Sequence, residues 1–285
     1  MNTNPPPVPA LTVLNFSGGQ QSSALLWMIL RKEFVPDSPF LVLNADPGME
    51  NEQTYQYVER MRGLCQAQGI EFITAAGPNL FSDLVELDQT DATRFDLPPY
   101  WTRNRTTGKR GRLVQKCTAA YKIAPMDRAI RRKLRDLYGA NVSGRIPGNI
   151  TIVKFIGFTS DEAHRVTESK AAFSTFRYPL IEMGLSKQDT HDYFLRIGEA
   201  PPPRSVCNAC FANSLEHFIT MSIERPRDFS QAVAVDRAIR DLSQVGVTDE
   251  CYVCSSLVPL DRLLDGEEYG IDEEEYSCDS GYCFI

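Results

Sequence analysis

The cysteines are the first residues whose spacing could do chemistry. The chain has eight of them, and four form two Cys-x-x-Cys pairs, Cys207/Cys210 and Cys251/Cys254. Two thiolates at this spacing can reach one metal ion. The opening residues MNTNPPPVPA lack the basic and apolar regions of a secretory signal, so we expect a cytoplasmic protein. In a reducing compartment, clustered cysteines indicate metal or redox chemistry rather than disulfides.

A loop rich in glycine and serine near the start of the chain could bind phosphate. Its residues are Ser17, Gly18, Gly19, Gln20, Gln21, Ser22 and Ser23. Glycines let the backbone approach an anion closely, and a helix that starts here would add free N–H groups and a favourable dipole. The loop has neither the Walker A pattern nor the dinucleotide fingerprint. It predicts a phosphate site of another type, with an ordinary turn between a strand and a helix as the alternative.

The elements that would position this loop are strands alternating with helices. The predicted strands are 11–16, 40–44, 71–74 and 152–156, and the predicted helices include 22–31 and 52–68. This alternation predicts an α/β fold with a parallel sheet and helices on both faces. Ligands of such sheets bind at the carboxyl ends of the strands. We therefore expect the site at the loops that follow residues 16, 44 and 156.

The net charge of −7 conceals one strongly basic stretch. Residues 102–135 contain twelve Lys or Arg and one acid, a local excess of 12 − 1 = +11. A basic stretch in an acidic protein often meets a polyanion, so we predict nucleic acid as a partner there. Residues 102–115 are predicted to be a mobile loop whose cations follow a phosphate backbone, namely Arg103, Arg105, Lys109, Arg110 and Arg112. Residues 122–137 are predicted to be a basic helix, which could equally be a face for a protein partner.

The remaining regions are described more briefly. Residues 267–275 are acidic and are predicted to be solvated. Helices are predicted at 212–223 and 228–242. No apolar run approaches the ~18 residues that a membrane helix needs, so we expect no membrane partner. Cys65 has apolar neighbours in a predicted helix and is expected to be a core residue.

Five motifs in order along the chain resemble the PP-loop ATP pyrophosphatase superfamily, and in particular its PAPS reductase-like family. They are Ser17 to Ser23; Asp46-Pro47-Gly48-Met49-Glu50 with Thr54 and Tyr55; Cys117-Thr118 with Tyr121-Lys122-Ile123 and Pro125; Gly157 to Arg165; and Ser205 to Phe211. The resemblance extends from Leu11 to Cys210. Gln20 and Gln21 replace the charged residues usual at the centre of the first motif.

The resemblance implies an adenine nucleotide alpha hydrolase-like, Rossmann-like core over residues 11–200. A disordered arm, 1–10, would precede it, and a helical region bearing cysteines, 201–285, would follow. It also implies that ATP, with Mg²⁺, is bound by residues 17–23 together with Asp46, Gly157, Glu162 and Arg165. The implied reaction is attack of an acceptor on the α-phosphate with release of pyrophosphate. Arg165 is expected to hold phosphate, and the alternative is a structural salt bridge with Glu162.

For the cysteines, the resemblance implies that Cys117 joins Cys207 and Cys210 around a [4Fe–4S] cluster. Structural Zn²⁺ is the alternative, and Cys251/Cys254 could then complete a set of four with Cys207/Cys210. Reduced cysteines without metal are a third possibility. Cys278 and Cys283 lie near the carboxyl end of the sequence. Cys283 is assigned a catalytic role as a thiol on a flexible tail that carries a persulfide, and the alternative is a tail that packs without a chemical role.

Three functions follow from these expectations. The first is ATP-dependent sulfur transfer to a nucleic acid, with Cys117 and Arg165 as catalytic residues and a sulfur-donor protein or a second copy of the chain as further partners. The second is a PAPS or APS reductase acting on a small nucleotide. The third is a non-catalytic nucleotide-binding subunit of an assembly in genome modification or defence.

Overall fold

The chain folds into two compact units, each built from several stretches of sequence. A computed structural model describes residues 9–37, 39–86, 96–139, 146–147, 150–169 and 171–263. The first unit takes its described residues from 1–45, 53–76 and 125–205, and the second takes them from 46–52, 77–124 and 206–285. The chain passes between the units several times, and the predicted boundary at residue 200 lies near only the last passage. Two earlier stretches, 46–52 and 77–124, also belong to the second unit. Eight residues of the predicted arm lie outside the described residues.

The first unit contains a parallel sheet of five strands in the order β3-β2-β1-β6-β7, with strands numbered along the whole chain. The strands are β1 Leu11–Asn15, β2 Phe40–Ala45, β3 Glu71–Ala75, β6 Ile152–Phe155 and β7 Ser174–Arg177. Four of the five residues of β1 are buried, as expected for a strand covered on both faces. The α/β prediction is confirmed, and the four predicted strands begin where expected.

Helices cover both faces of this sheet. They are α1 Gln20–Leu30, α2 Glu52–Ala67, α4 Ala124–Tyr138, α5 Pro179–Glu182 and α6 Lys187–Arg196. Alternate residues of β1 point to opposite faces. Leu14 packs in one core with α1, α2 and α6, whereas Leu11 and Val13 pack in another with Ile130 and Leu134 of α4. Cys65 is fully buried in the first of these cores, as predicted.

The second unit combines a small antiparallel sheet with helices. Its elements are α3 Leu80–Val85, β4 Trp101–Arg103, β5 Arg110–Arg112, a π-helical turn Thr118–Ile123, α7 Leu215–Glu224, α8 Pro226–Ala238 and β8 Glu250–Tyr252. The sheet order is β5-β4-β8. Its core includes Tyr100, Phe218, Met221, Val235 and Tyr252. The two helices predicted after residue 212 are confirmed as α7 and α8.

The prediction of a mobile loop at 102–115 is wrong. The segment forms the β4–β5 hairpin, in which Trp101 lies opposite Arg112, and β4 also pairs with β8 across Thr102 and Cys251. Strands of three residues carry too little pattern to be recognised, and the strand that completes the sheet is distant in sequence. The acidic residues 267–275 and the cysteines Cys278 and Cys283 lie outside the described residues. Within the described part, no helix combines the length and apolarity needed to cross a membrane.

Candidate nucleotide and cysteine sites

The predicted phosphate loop lies where β1 ends and α1 begins, in the first unit. Gly18 has φ +81°, a conformation that glycine adopts without strain, and a Cβ there would lie 3.0 Å from Val58 Cγ2. The Ser17 hydroxyl accepts from Gly19 N at 3.2 Å and lies 3.0 Å from the Ser22 hydroxyl. Ser22 also accepts from Ser17 N at 3.3 Å. The loop is therefore a closed, hydrogen-bonded turn around two serine hydroxyls.

The amino end of α1 is open to an anion. Its N-cap, Gly19, provides no side-chain hydrogen bond, and the first turn contains no acidic residue. The first N–H groups of a helix have no intrahelical partner and carry the positive end of the dipole. Most such ends are capped by a Ser, Thr, Asp or Asn side chain. An uncapped end that follows a Gly-Gly turn is suited to bind phosphate oxygens.

Gly157, which follows β6, lies directly against this helix end. A Cβ at Gly157 would lie 2.9 Å from Ser22 N and 3.0 Å from Ser22 Cα. These contacts are with backbone atoms, so a larger residue would have to displace the loop itself. The parallel pairing of β1 with β6 produces this contact, because it places the two loops at the same edge of the sheet.

Glu162 and Arg165 form a salt bridge in the 3₁₀ turn that follows. Arg165 is only 7% exposed and its guanidinium lies 4.0 Å from the centre of the Phe158 ring. Glu162 also forms a capping box with Thr159, and it accepts from Gln21 Nε2 at 3.4 Å. The predicted alternative for Arg165 is thus present, and phosphate binding by Arg165 stays a prediction.

The two glutamines of the loop are held by their own unit. Gln20 Nε2 donates to Lys187 O at 2.9 Å and to Thr190 Oγ1 at 2.8 Å, which fixes the loop to the start of α6. Both N–H groups of its amide are therefore occupied. Ser23 is fully buried under the loop. Ser205 Oγ donates to Ser17 O at 2.8 Å, so the first residue of the fifth motif stabilises the loop of the first motif.

Asp46 lies in the second unit, at the start of a tight turn. Its Oδ1 accepts from Gly48 N at 2.7 Å. Gly48 has φ +77°, and a Cβ there would collide with the Asn79 amide at 2.4 Å. The Asp-Pro-Gly sequence is thus explained locally by this turn, and contact of Asp46 with a nucleotide stays a prediction.

The second unit brings Cys117, Cys207 and Cys210 into one core. Cys117 is the N-cap of the π-helical turn, and Cys210 N donates to Cys207 O at 3.0 Å in a tight turn. None of the three forms a disulfide within the described residues. Burial raises the pKa of the Cys117 thiol, although the Lys122 ammonium and the donors of Thr118 act in the opposite direction. Insertions of the π type often occur at functional sites.

A buried ion pair, Glu50–Lys122, lies beside these cysteines. Glu50 is 7% exposed, and its Oε1 accepts from Lys122 Nζ at 3.1 Å and from Cys207 Sγ at 3.9 Å. The backbone of Glu50 also forms an antiparallel bridge with Cys207. The sequence analysis placed both residues within motifs but assigned neither a role. Their place in those motifs was the signal that could have pointed to this pair. Charged residues are rarely buried without a partner, and these two residues are partners of each other.

Tyr100 is the other group near the three thiols that sequence reasoning missed. It is fully buried, and its hydroxyl has no hydrogen-bond partner within the described residues. Burial raises the pKa of its phenol well above the usual value, and the charges of Cys117, Cys210 and Cys207 raise it further. The phenol is thus a buried donor in the neighbourhood of three thiols.

The second Cys-x-x-Cys pair has a different setting. Cys251 and Cys254 are fully buried, the first in β8 and the second next to Ser256, whose hydroxyl lies 3.1 Å from the sulfur. Burial raises the pKa of Cys251 to about 12. Among the described residues, no group of three or more His, Cys, Asp or Glu is arranged to hold a metal ion.

Four of the five predicted cations of the β4–β5 hairpin are engaged within the second unit, whereas Lys109 is exposed. Arg103 pairs with Glu250 at 2.6 Å, and Arg105 pairs with Asp241 at 3.2 Å. Arg110 and Arg112 lie over the Trp101 ring, 5.0 and 5.7 Å from its centre. The excess positive charge read from the sequence is therefore partly neutralised here by acids far along the chain.

The chain is similar in structure to a known protein. No family model matches the chain, and no curated protein matches it. The chain is similar to the U34-tRNA thiolase NcsA from Methanococcus maripaludis, solved with its [4Fe-4S] cluster. The identity is 11% and the TM-score 0.38, over 85% of this chain and 74% of that chain.

Proposed function

We propose that this chain is an ATP pyrophosphatase of the PP-loop type that adenylates an acceptor and transfers sulfur to a nucleic acid. The observation that carries the proposal is the uncapped, acid-free amino end of α1, which follows Gly18-Gly19 and packs against Gly157. A triphosphate brings negative charge, and this helix end offers preplaced N–H donors and contains no acidic residue in its own first turn. Mg²⁺ bridging phosphate oxygens would complete the charge balance.

The proposed reaction begins when an oxygen of the acceptor attacks the α-phosphorus of ATP. The bond between this phosphorus and the bridging oxygen breaks, and pyrophosphate leaves with the electron pair. The Ser17 and Ser22 hydroxyls, 3.0 Å apart and bonded within the loop, would donate to phosphate oxygens on which charge accumulates once Ser22 releases Gly19 O. Sulfide, the second substrate, then displaces AMP from the activated centre, so that a bond to sulfur replaces the bond to oxygen.

The three thiols of the second unit would hold an iron–sulfur cluster. When bound, the cluster supplies an iron on which sulfide can be kept for transfer. The donor set supports this: three thiols that form no disulfide lie in one core, the Lys122 ammonium opposes the rise that burial causes in the pKa of Cys117, and Tyr100 places beside them a hydroxyl that has no partner among the described residues. Each thiolate of a cluster binds its own iron, so the three sulfurs need not converge on one point as zinc ligands do.

The first test follows the fate of ATP. The purified chain is incubated with ATP labelled at the α-phosphate and Mg²⁺, and with bulk RNA or DNA. We expect AMP and pyrophosphate rather than ADP, and faster release with nucleic acid. Tight ATP binding without turnover under any acceptor would instead favour a non-catalytic subunit. Thioredoxin-dependent release of sulfite from PAPS would favour a reductase.

The second test measures iron, acid-labile sulfide and zinc in protein purified without oxygen. We expect iron and sulfide in equal amounts, together with a broad visible absorption. Cys117→Ala should lose the iron, whereas Cys65→Ala, which removes a buried thiol from the other unit, should keep it. One zinc per chain without iron would contradict the cluster but not the adenylation step.

A further inference from the structure

Helix α4 presents a row of exposed arginines on one face. Arg128, Arg132 and Arg135 are all exposed, and they are spaced by four and three residues. At 3.6 residues per turn, they lie within about 60° of one another around the helix axis. Ile130 and Leu134, which are 1% and 0% exposed, pack into the core of the first unit from the opposite side. The arginine row therefore points away from the core.

The side chains of two of these arginines have no bonding partner within the described residues. Arg128 and Arg132 make no hydrogen bond or ion pair there, and Arg135 only approaches Asp136, at 3.7 Å. The other cations of α4 are engaged: Arg131 lies over Phe173, and Lys133 pairs with Glu71 at 2.6 Å. Like charges at positions i and i+4 of a helix destabilise it. Repulsion between Arg128 and Arg132 thus works against the stability of α4, and a bound polyanion would relieve it.

The hairpin does not offer an equivalent surface. Arg103 and Arg105 face Glu250 and Asp241, and Arg110 and Arg112 stack on Trp101. A polyanion bound there would have to compete with carboxylates already in place. The α4 row has no such competitor among the described residues other than Asp136.

We propose that the Arg128–Arg132–Arg135 row of α4 binds the phosphate backbone of a nucleic acid. This inference rests on the proposed function and identifies the surface that holds its acceptor. The row is about 10 Å long, since a helix rises 1.5 Å per residue. Arginine side chains along this length can reach successive phosphates of one strand. Guanidinium groups suit this partner because they donate two parallel hydrogen bonds to a phosphate.

The test is binding of the full chain to fluorescent duplex DNA and to a folded RNA hairpin, measured by anisotropy at several salt concentrations. Arg128→Gln/Arg132→Gln should lower the slope of log K against log salt by about 1.4 to 1.8, because two phosphate contacts are lost. Affinity at 0.1 M salt should then fall by roughly 25- to 60-fold. Comparison of the DNA and RNA arms shows which backbone is preferred.

Two variants serve as matched controls. Arg227→Gln removes an exposed arginine of α8 that makes no hydrogen bond or ion pair within the described residues. Arg105→Gln removes the same charge from the hairpin. Both should leave the salt slope unchanged. The double α4 variant should keep or raise the melting temperature of the protein, because it relieves repulsion.

The outcomes separate this inference from the proposed function. If the wild type binds nucleic acid and the double variant binds it equally well, the α4 row is not the surface that binds nucleic acid. The same result is expected if the row binds an acidic protein instead. Equal losses with Arg227→Gln would mean general charge attraction and overturn the inference too. If the wild type forms AMP but binds neither DNA nor RNA, the nucleic-acid acceptor itself is wrong.

Discussion

Replacing Gly157 by alanine tests whether the phosphate loop and the loop after β6 act as one site. The new Cβ would lie 2.9 Å from Ser22 N, 3.0 Å from Ser22 Cα and 3.3 Å from Gln21 C, whereas ordinary contacts begin at 3.4 Å. All three atoms belong to the backbone, so no side chain can rotate away. The first turn of α1 must move by about 0.5 Å, the shortfall in the closest contact.

Such a shift should affect catalysis more than folding. A misplacement of about 1 Å at a reacting centre can cost 10²-fold, so half of that should lower kcat/KM for AMP formation by roughly tenfold. Overpacking of this kind costs about 1–3 kcal/mol of stability. The assays are AMP release, ATP affinity by calorimetry and thermal unfolding, with activity measured well below the melting temperature.

Gly63→Ala is the matched control, because a Cβ at Gly63 meets no atom within 4 Å. It lies in α2, where alanine should stabilise the helix by up to about 1 kcal/mol and leave kcat/KM unchanged. A folded Gly157→Ala protein with wild-type kcat/KM and ATP affinity would refute the placement of the nucleotide at this loop. Were Gly157→Ala unable to fold, Ser17→Ala would take its place, with a loss of ATP affinity and of kcat/KM expected.

Four further predictions concern the cysteines and the ion pair. Cys210→Ala should lose most of its bound iron, and Cys65→Ala should retain it; equal iron in both, by metal analysis, would remove Cys210 from the cluster. Lys122→Met should lower the free energy of unfolding by about 3 kcal/mol, because the Glu50 carboxylate loses its buried cation, and adding Glu50→Gln should restore much of it in urea titrations; a fully stable single variant would contradict this. Burial raises the pKa of both Cys65 and Cys251 to about 12, so at pH 8 only about one thiol in ten thousand is ionised, and mass spectrometry should find both unmodified by iodoacetamide until the protein unfolds. Since these thiols ionise near pH 9 in the unfolded chain, stability should be complete below pH 9 and decline as pH rises towards 12; a flat alkaline profile would show that both thiols ionise equally well when folded.

Much of the first unit was determined by local sequence. Strands such as Leu11–Asn15 are covered on both faces, so they appear as short apolar runs, and a Gly-Gly turn between such a run and an apolar helix marks the phosphate loop. The basic helix predicted at 122–137 corresponds to α4, Ala124–Tyr138. These features depend on neighbours within a few residues, which a sequence displays directly.

Tertiary structure alone decided which charges are available. The sequence placed twelve cations between residues 102 and 135 but could not show that Arg103 and Arg105 meet acids more than a hundred residues away. Nor could it show that Lys122 pairs with Glu50 beside Cys207. The division into two discontinuous units has the same origin. Contacts between distant segments follow from how whole elements pack. That packing decides whether a charged side chain is paired within the protein or available to a ligand.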